Sequence, residues 1–410
     1  MRIKEQTCLQ KQNGRFFSVV ASKKILERTL TLTLSHRMGE GLFKTIIRLR
    51  IDIRARLYKK RVVHLICSTM KALVLKEYNR FSFEDVPSPE AAEGEVVVSV
   101  KACGICGSDV HGMDGSTGRR RPPIIMGHEA SGVIDQVGPG VKDWTPGNRV
   151  TFDSTIYCGE CDFCRSGQVN LCERRRVLGV SCEDYRQDGA FAEFVKVPQR
   201  ILYRLPETLP FEHAALVEPY SIALHAVHRA KDSFSTAVVI GAGMIGLAIV
   251  QMLKQVGCPE VIAVDVAEDR LTLAKQCGAS TINSATENAV EMLLNRTDGR
   301  GVDAAFEAVG LTATVDLALR AVRRGATVVL VGNVTPAIQF PLQIAVTREL
   351  SILGSCASRG EYSACIDLLA RGVLNPTLLI GAVAPLSEGA QWFARLGKKE
   401  PGLLKVILQP

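Results

Sequence analysis

Gly241-Ala242-Gly243-Met244-Ile245-Gly246 constrains the fold of this chain more than any other stretch. An apolar strand, residues 237–240, precedes it, and an apolar helical segment, residues 247–256, follows. A second strand over 261–264 ends in Asp265, 19 residues past Gly246. A lone G-x-G-x-x-G is weak evidence, but strand, helix and acid at these distances make a βαβ unit. The glycines let the backbone approach a pyrophosphate, which the free N–H groups of the helix start stabilise. Asp265 is placed to accept a ribose 2′-hydroxyl and to repel a 2′-phosphate, which favours NAD over NADP. Arg270 either lines the adenine side or is solvated. Further strands over 280–283, 303–309, 326–332 and 351–355 bring the count to six, as a doubly wound parallel sheet expects.

Two cysteine-bearing stretches lie upstream. Cys103-Gly-Ile-Cys106-Gly-Ser108-Asp109-Val-His111, a basic loop and Gly127-His128-Glu129 offer thiolate, imidazole and carboxylate, the ligand types a catalytic Zn²⁺ accepts. Cys103 and Cys106 alone would also suit a redox pair, but no thioredoxin-like helix follows. Asp109 is placed to accept a hydrogen bond from a metal-bound imidazole, and Ser108 and His111 to relay a proton. Cys158-x-x-Cys161-x-x-Cys164-x₇-Cys172 can close a tetrahedral shell with Zn–S near ~2.3 Å and no open position, so that metal is structural. Disulfides are the competing reading of this lobe, and adjacent C-x-x-C steps in a reducing compartment disfavour them.

Strands are expected at 71–75, 95–102, 130–137 and 148–152, with the metal stretch on the loops of an all-β module. Residues 181–209 stay strand-like, 189–195 most clearly. Residues 211–230 read as helix interrupted at Glu218-Pro219, with Pro219 opening a helix and Glu218 free to face a cleft or solvent. After residue 355, helices over 361–371 and within 383–396 and a last strand over 404–408 should fold back onto the β module. The run Arg119-Arg120-Arg121 either binds a substrate phosphate or lies in a solvated loop.

The 410 residues, 47% hydrophobic and 22% charged, suit a chain of two or three domains. No apolar run reaches the roughly 18 residues of a membrane span. The formal charge of +8 is unevenly spread: residues 1–69 carry +12 and the remainder −4. A nucleic-acid footprint is therefore absent from the body. The basic segment reads as a transit peptide, a nucleic-acid or membrane-surface arm, or an extension upstream of a fold that opens at Met70.

Together these motifs resemble the zinc-dependent medium-chain alcohol dehydrogenase family from Met70 to Pro410, in the family's order. The resemblance implies an α/β protein with a GroES-like β-rich catalytic domain over 70–220 and 357–410. A Rossmann doubly wound parallel sheet would bind NAD over 221–356, with 1–69 outside the fold. It further implies that Cys106 and His128 hold the catalytic zinc, that Glu129 can approach it, and that Ser108 and His111 relay the proton. Loops at Val331 to Asn333 and at 355–357 would hold the nicotinamide. Glu218-Pro219 resembles the sorbitol-, threonine- and polyol-type branch, in which this glutamate binds zinc directly or through water.

The expected reaction is hydride transfer from a secondary alcohol (polyol, sugar phosphate or amino alcohol) to NAD, using one catalytic and one structural zinc. The alternatives are a catalytically silent protein that keeps the fold and a threonine 3-dehydrogenase-type enzyme. The expected setting is a cytoplasmic homo-oligomer, dimer or tetramer, acting on a small molecule, with no nucleic-acid or membrane partner.

Overall fold

The computed structural model describes residues 9–12, 15–18, 69–230 and 234–410. Residues Met1–Cys67 form a unit of their own, in which Leu9–Gln12 pairs antiparallel with Arg15–Ser18. The segment is expected to lie outside the fold that opens at Met70, and this hairpin is the one element described within it. The basic segments at 46–61 lie outside the described residues.

The unit Ser68–Pro410 begins with β1 (Thr69–Glu77), β2 (Arg80–Pro87) and β3 (Glu95–Gly104). The short helix α1 (Gly107–Gly112), β4 (Ile124–Ile125), β5 (Glu129–Val137) and β6 (Arg149–Phe152) follow. Strand β2 is an addition to the expected set. It pairs with β1 at the edge of a three-stranded sheet and ends at Pro87, where a missing N–H costs nothing. The metal stretch is not confined to loops: Cys103 closes β3, Ser108 and His111 ride on α1, and Glu129 opens β5.

The strand-like stretch 181–209 breaks into short pieces, of which β7 (Phe194–Pro198) and β8 (Leu202–Arg204) join the main β sheet. Residues 189–192, expected to be its clearest strand, are instead a buried link. Phe191 N donates to Met126 O and Leu73 N to Phe191 O, so the link is fastened to the three-stranded sheet and the loop after it without becoming one of its strands.

The helix expected over 211–230 breaks earlier than anticipated, into Phe211–Ala214 and α2 (Val217–Arg229). Pro219 lies in the first turn of α2, where no N–H has an intrahelical partner to lose, and Glu218 is buried rather than free.

Next come β9 (Thr236–Ile240), α3 (Met244–Gln255), β10 (Glu260–Asp265), β11 (Ser280–Asn283), β12 (Val302–Glu307), β13 (Val322–Leu330) and β14 (Ser351–Gly354). They form a six-stranded parallel sheet in the order β11-β10-β9-β12-β13-β14. Two chains of crossovers diverge from the gap between β9 and β12, which opens a crevice at the strand C-termini.

Helix α4 (Tyr362–Ala370) then packs on α2. Strands β15 (Ile380–Pro385) and β16 (Lys405–Gln409) return to the seven-stranded β sheet, with β16 pairing antiparallel to β3. Phe393, on the helix between them, stacks on Phe81 and meets Phe191 edge-on. The C-terminal segment thus folds back, as expected, and delivers Lys405 behind the metal stretch.

Candidate active site and metal centres

The first site forms where β3 ends and β5 begins. Cys106 caps α1: its Sγ accepts from Ser108 N at 3.4 Å, while Asp109 Oδ2 accepts from Cys106 N at 3.4 Å. This reciprocal cap satisfies two helix-start donors and turns the chain sharply. Gly127, at φ 96°, permits the close approach that brings His128 alongside; a Cβ there would meet Cys103 Sγ at 2.9 Å. Burial raises the Cys103 thiol well above its usual range, as suits a core residue. Cys106, His128 and Glu129 instead place their donor atoms within 4.8 Å of one another.

Each member of this group, and Glu218 beside it, has a buried companion. Asp109 Oδ1 lies 3.6 Å from His128 Nδ1, just beyond a hydrogen bond. Lys405 Nζ reaches Glu129 Oε1 at 2.8 Å and Oε2 at 2.6 Å, and donates to Ile105 O at 3.0 Å. Burial, the largest single effect, would lower the lysine pKa, but Glu129, Cys106 and Glu218 together outweigh it and the net direction is up. Gly104 makes room for this pair, since a Cβ there would lie 2.3 Å from Glu129 Oε2.

Glu218, outside the 4.8 Å group but electrostatically coupled to it, accepts Ser154 Oγ at 3.0 Å through Oε1. Its Oε2 is buried without a partner. Desolvation pushes its carboxyl up to about 8, and burial pushes Cys106 up to about 12. A buried carboxylate oxygen lacking any partner, in a residue near enough for the charges of a thiol, an imidazole and a second carboxylate to act on it, fits a divalent cation: such an ion deprotonates a coordinating thiol and draws carboxyl pKa values down.

Ser108 and His111 are exposed on α1, three residues apart and so on one face. The Ser108 hydroxyl donates to Cys106 Sγ at 3.3 Å.

The second centre stands on a lobe with little core. Cys158, Cys161, Cys164 and Cys172 place their sulfurs within 4.8 Å of one another. Cys161 and Cys158 lie 3.5 and 3.8 Å from Cys164, far beyond the ~2.05 Å of an S–S bond. The Glu160 N–H lowers the Cys158 thiol to about 6, while desolvation raises Cys164 to about 12. Four converging thiols without a disulfide fit a closed tetrahedral metal shell.

At the crevice of the parallel sheet, Gly241 has φ 94° and a Cβ there would strike Val309. A Cβ on Gly246 would fall 1.7 Å from Gly241 O, so both positions demand glycine. Gly243 caps α3, whose first turn carries Met244 and Ile245. The Arg270 guanidinium lies over Gly243, with Nη1 3.3 Å from where a Cβ would stand, and the residue is half-buried. Asp265 Oδ2 accepts Ala242 N at 2.6 Å, and Oδ1 accepts Val266 N and Ala267 N. It therefore braces the glycine turn, a task the sequence did not suggest. Val331 N donates to Glu307 O at 2.8 Å, and Asn333 is exposed just beyond.

Two family models match this chain: the alcohol dehydrogenase GroES-like domain over residues 92–207 and the zinc-binding dehydrogenase model over 245–371. Among curated relatives, a probable D-xylulose reductase A from Emericella nidulans is 34% identical, over 83% of this chain and 96% of that one. A sorbitol dehydrogenase from Bacillus subtilis is 33% identical, over 85% and 99%. The chain belongs to the zinc-dependent medium-chain alcohol dehydrogenase family, in its polyol branch. It is an oxidoreductase.

Two solved structures of similar fold hold cofactor. An alcohol dehydrogenase from Escherichia coli CFT073, 31% identical with TM-score 0.77, is complexed with NADH; 84% of this chain covers all of it. A putative zinc-binding dehydrogenase from Sinorhizobium meliloti 1021, 32% identical with TM-score 0.77 and the same coverage, is bound to NADP.

Sequence reasoning missed Ser154 and Lys405. Ser154 left no local signal. Lys405 did: it is the one charge in the apolar run Leu403-Leu404-Lys405-Val406-Ile407-Leu408. Lys405→Met should lower stability by about 3–5 kcal/mol, because it strands the buried Glu129 charge. Denaturant unfolding checks this, and a loss under ~1 kcal/mol would mean that the pair is not buried as described.

Proposed function

We propose that the chain oxidises a secondary alcohol of a polyol, sugar phosphate or amino alcohol with NAD, at the group formed by Cys106, His128, Glu129 and Glu218. The observation that carries this reading is the converging group Cys106, His128 and Glu129, with the partnerless, buried Oε2 of Glu218 within electrostatic reach of all three. Zinc bound there supplies Lewis acidity, lowering the pKa of a hydroxyl as it lowers that of water to about 7. NAD supplies the hydride acceptor.

The chain's own residues do the rest. Cys106 and His128 would hold the ion, and Glu218 would meet it directly or through water. Ser108, standing against Cys106, takes the hydroxyl proton, and the exposed His111 passes it to solvent. The division at 70–220 with 357–410 against 221–356 puts this chemistry on one lobe and the nicotinamide on the other, held by the loops at Val331, Asn333 and 355–357.

NAD is favoured over NADP because Asp265 ends β10 beside the glycine turn with its carboxylate half-exposed. Asp265→Ser should raise KM for NAD and relax discrimination against NADP. If the unaltered enzyme already prefers NADP, Asp265 is only a brace for Ala242.

A homo-oligomer is supported by the edge of β14, unpaired among the described residues, and the exposed Val334, Leu342 and Val346 on the segment leading to it. A reducing, cytoplasmic setting is supported by free thiols at every described cysteine. No helix among the described residues is long and apolar enough to cross a membrane.

The deciding test is NAD-linked oxidation of a panel of polyols, their phosphates, threonine and simple alcohols. The expected result is highest kcat/KM on a polyol or polyol phosphate. A preference for threonine would move the enzyme to the amino-alcohol type.

A further inference from the structure

We propose that Arg120 is a positioning residue for the catalytic metal, reaching inward from the 113–123 loop to fix Asp109 behind Cys106 and His128. The proposal rests on those two residues being metal ligands.

The three arginines of the run do different things. Arg119 is exposed, and Arg121 is exposed and paired with Glu183 at 2.8 Å. Arg120 is only 3% exposed. The backbone explains the split. Arg121 N donates to Ser181 Oγ at 2.7 Å, Ser181 Oγ donates to Arg121 O at 2.9 Å, and Ser181 N donates to Arg119 O at 3.2 Å. Residues 119–121 thus run beside residue 181 as an extended bridge. Successive side chains of an extended segment alternate in direction, so Arg120 turns inward when its neighbours turn out. Gly112 leaves space for its stem, since a Cβ there would lie 2.8 Å from Arg120 Cγ.

At the inner end, Nη2 donates to Asp109 Oδ1 at 2.9 Å and Nη1 to Arg119 O at 3.2 Å. That same Oδ1 stands 3.6 Å from His128 Nδ1, and Oδ2 accepts Cys106 N. Asp109, fully buried, therefore touches the surroundings of both ligands, and Arg120 is the cation that holds it. A carboxylate hydrogen-bonded behind a ligating imidazole fixes its ring and tautomer, so that the other nitrogen faces the ion; Asp109, held by Arg120, stands just outside that contact with Nδ1. A planar guanidinium can grip Asp109 and rest on the Arg119 carbonyl at once, which a lysine ammonium cannot do with the same fixed fork. This placement also removes Arg120 from any substrate-phosphate site.

The test uses the full chain with Arg120→Lys and Arg120→Gln. Chelator competition measures zinc affinity at the catalytic site, with the four-cysteine zinc as internal reference. Cobalt substitution reports ligand geometry through its absorption bands. Catalytic-site affinity should fall about 10–100-fold in Arg120→Gln and by a smaller factor in Arg120→Lys. The cobalt bands should shift in both, with the four-cysteine metal retained and the ratio of KM for a polyol to KM for its phosphate unchanged. If Arg120→Gln does not fold, Arg120→Lys decides. Wild-type affinity and an unshifted cobalt spectrum would overturn the proposal, whatever happens to Tm. So would a loss confined to phosphorylated substrates. His128→Ala separates the underlying reading: if it too keeps the catalytic zinc at full affinity, the ligand assignment itself has failed.

Discussion

Glu218→Gln should lower kcat on the order of 10²-fold, the upper end for removing a group beside a metal, with the four-cysteine zinc left in place. Glutamine keeps an oxygen for the Ser154 hydroxyl, which now sits 3.0 Å from Oε1, so packing at the start of α2 is little disturbed. What disappears is the negative charge at Oε2, the oxygen that has no protein partner. Leaving such an atom unmatched costs ~1–3 kcal/mol, and more for a charged group. A stable protein retains it where something outside the chain satisfies it. Metal analysis beside steady-state kinetics checks the outcome. Wild-type turnover with full catalytic-zinc occupancy would make Glu218 a structural residue.

Cys164→Ser should take zinc content from two ions per chain to one and lower Tm substantially. Apparent binding energies of structural zinc run about 10–16 kcal/mol in small folded units, where metal binding and folding are one event. Between its cysteines this lobe contains only the four-residue helix Asp162–Arg165 and the turn Val169–Leu171, and a two-residue strand pair closes its base, so little besides the metal would hold it. The effect should spread beyond the lobe. Asn170 Nδ2 donates to Cys356 O at 2.9 Å, and Arg175 Nη1 bridges Asn170 O and Cys356 Sγ. Residue 356 lies in the loop proposed to hold the nicotinamide, so KM for NAD should rise as well. Unchanged zinc stoichiometry would remove the structural-metal assignment.

These two sites show how far local spacing carries. The cysteine lobe and the βαβ unit were legible because their chemistry is written over 15 and 25 consecutive residues. The capping box at Cys106 and Asp109 was equally local, yet it passed unnoticed because a cysteine rarely caps a helix. The companions of the metal group were not legible. Lys405 meets Glu129 across 276 residues and Ser154 meets Glu218 across 64, distances at which no periodicity reports contact. The arginine run disclosed charge but not direction: only the bridge to residue 181 turns Arg120 inward. Glu218 looked free because a proline followed it. In fact the proline sits in the first turn of α2, where it costs no hydrogen bond, and the helix buries the acid.

The most direct test is a stepwise removal of zinc from the intact protein with a chelator, following polyol-dependent NADH formation against metal content. The labile ion should be the one at Cys106 and His128, because its shell is open, whereas four thiolates enclose the other. Activity is predicted to fall in proportion to loss of the first zinc, to reach zero with one ion per chain still bound, and to return when zinc is restored. Full turnover in protein that retains only the four-cysteine zinc would contradict the account.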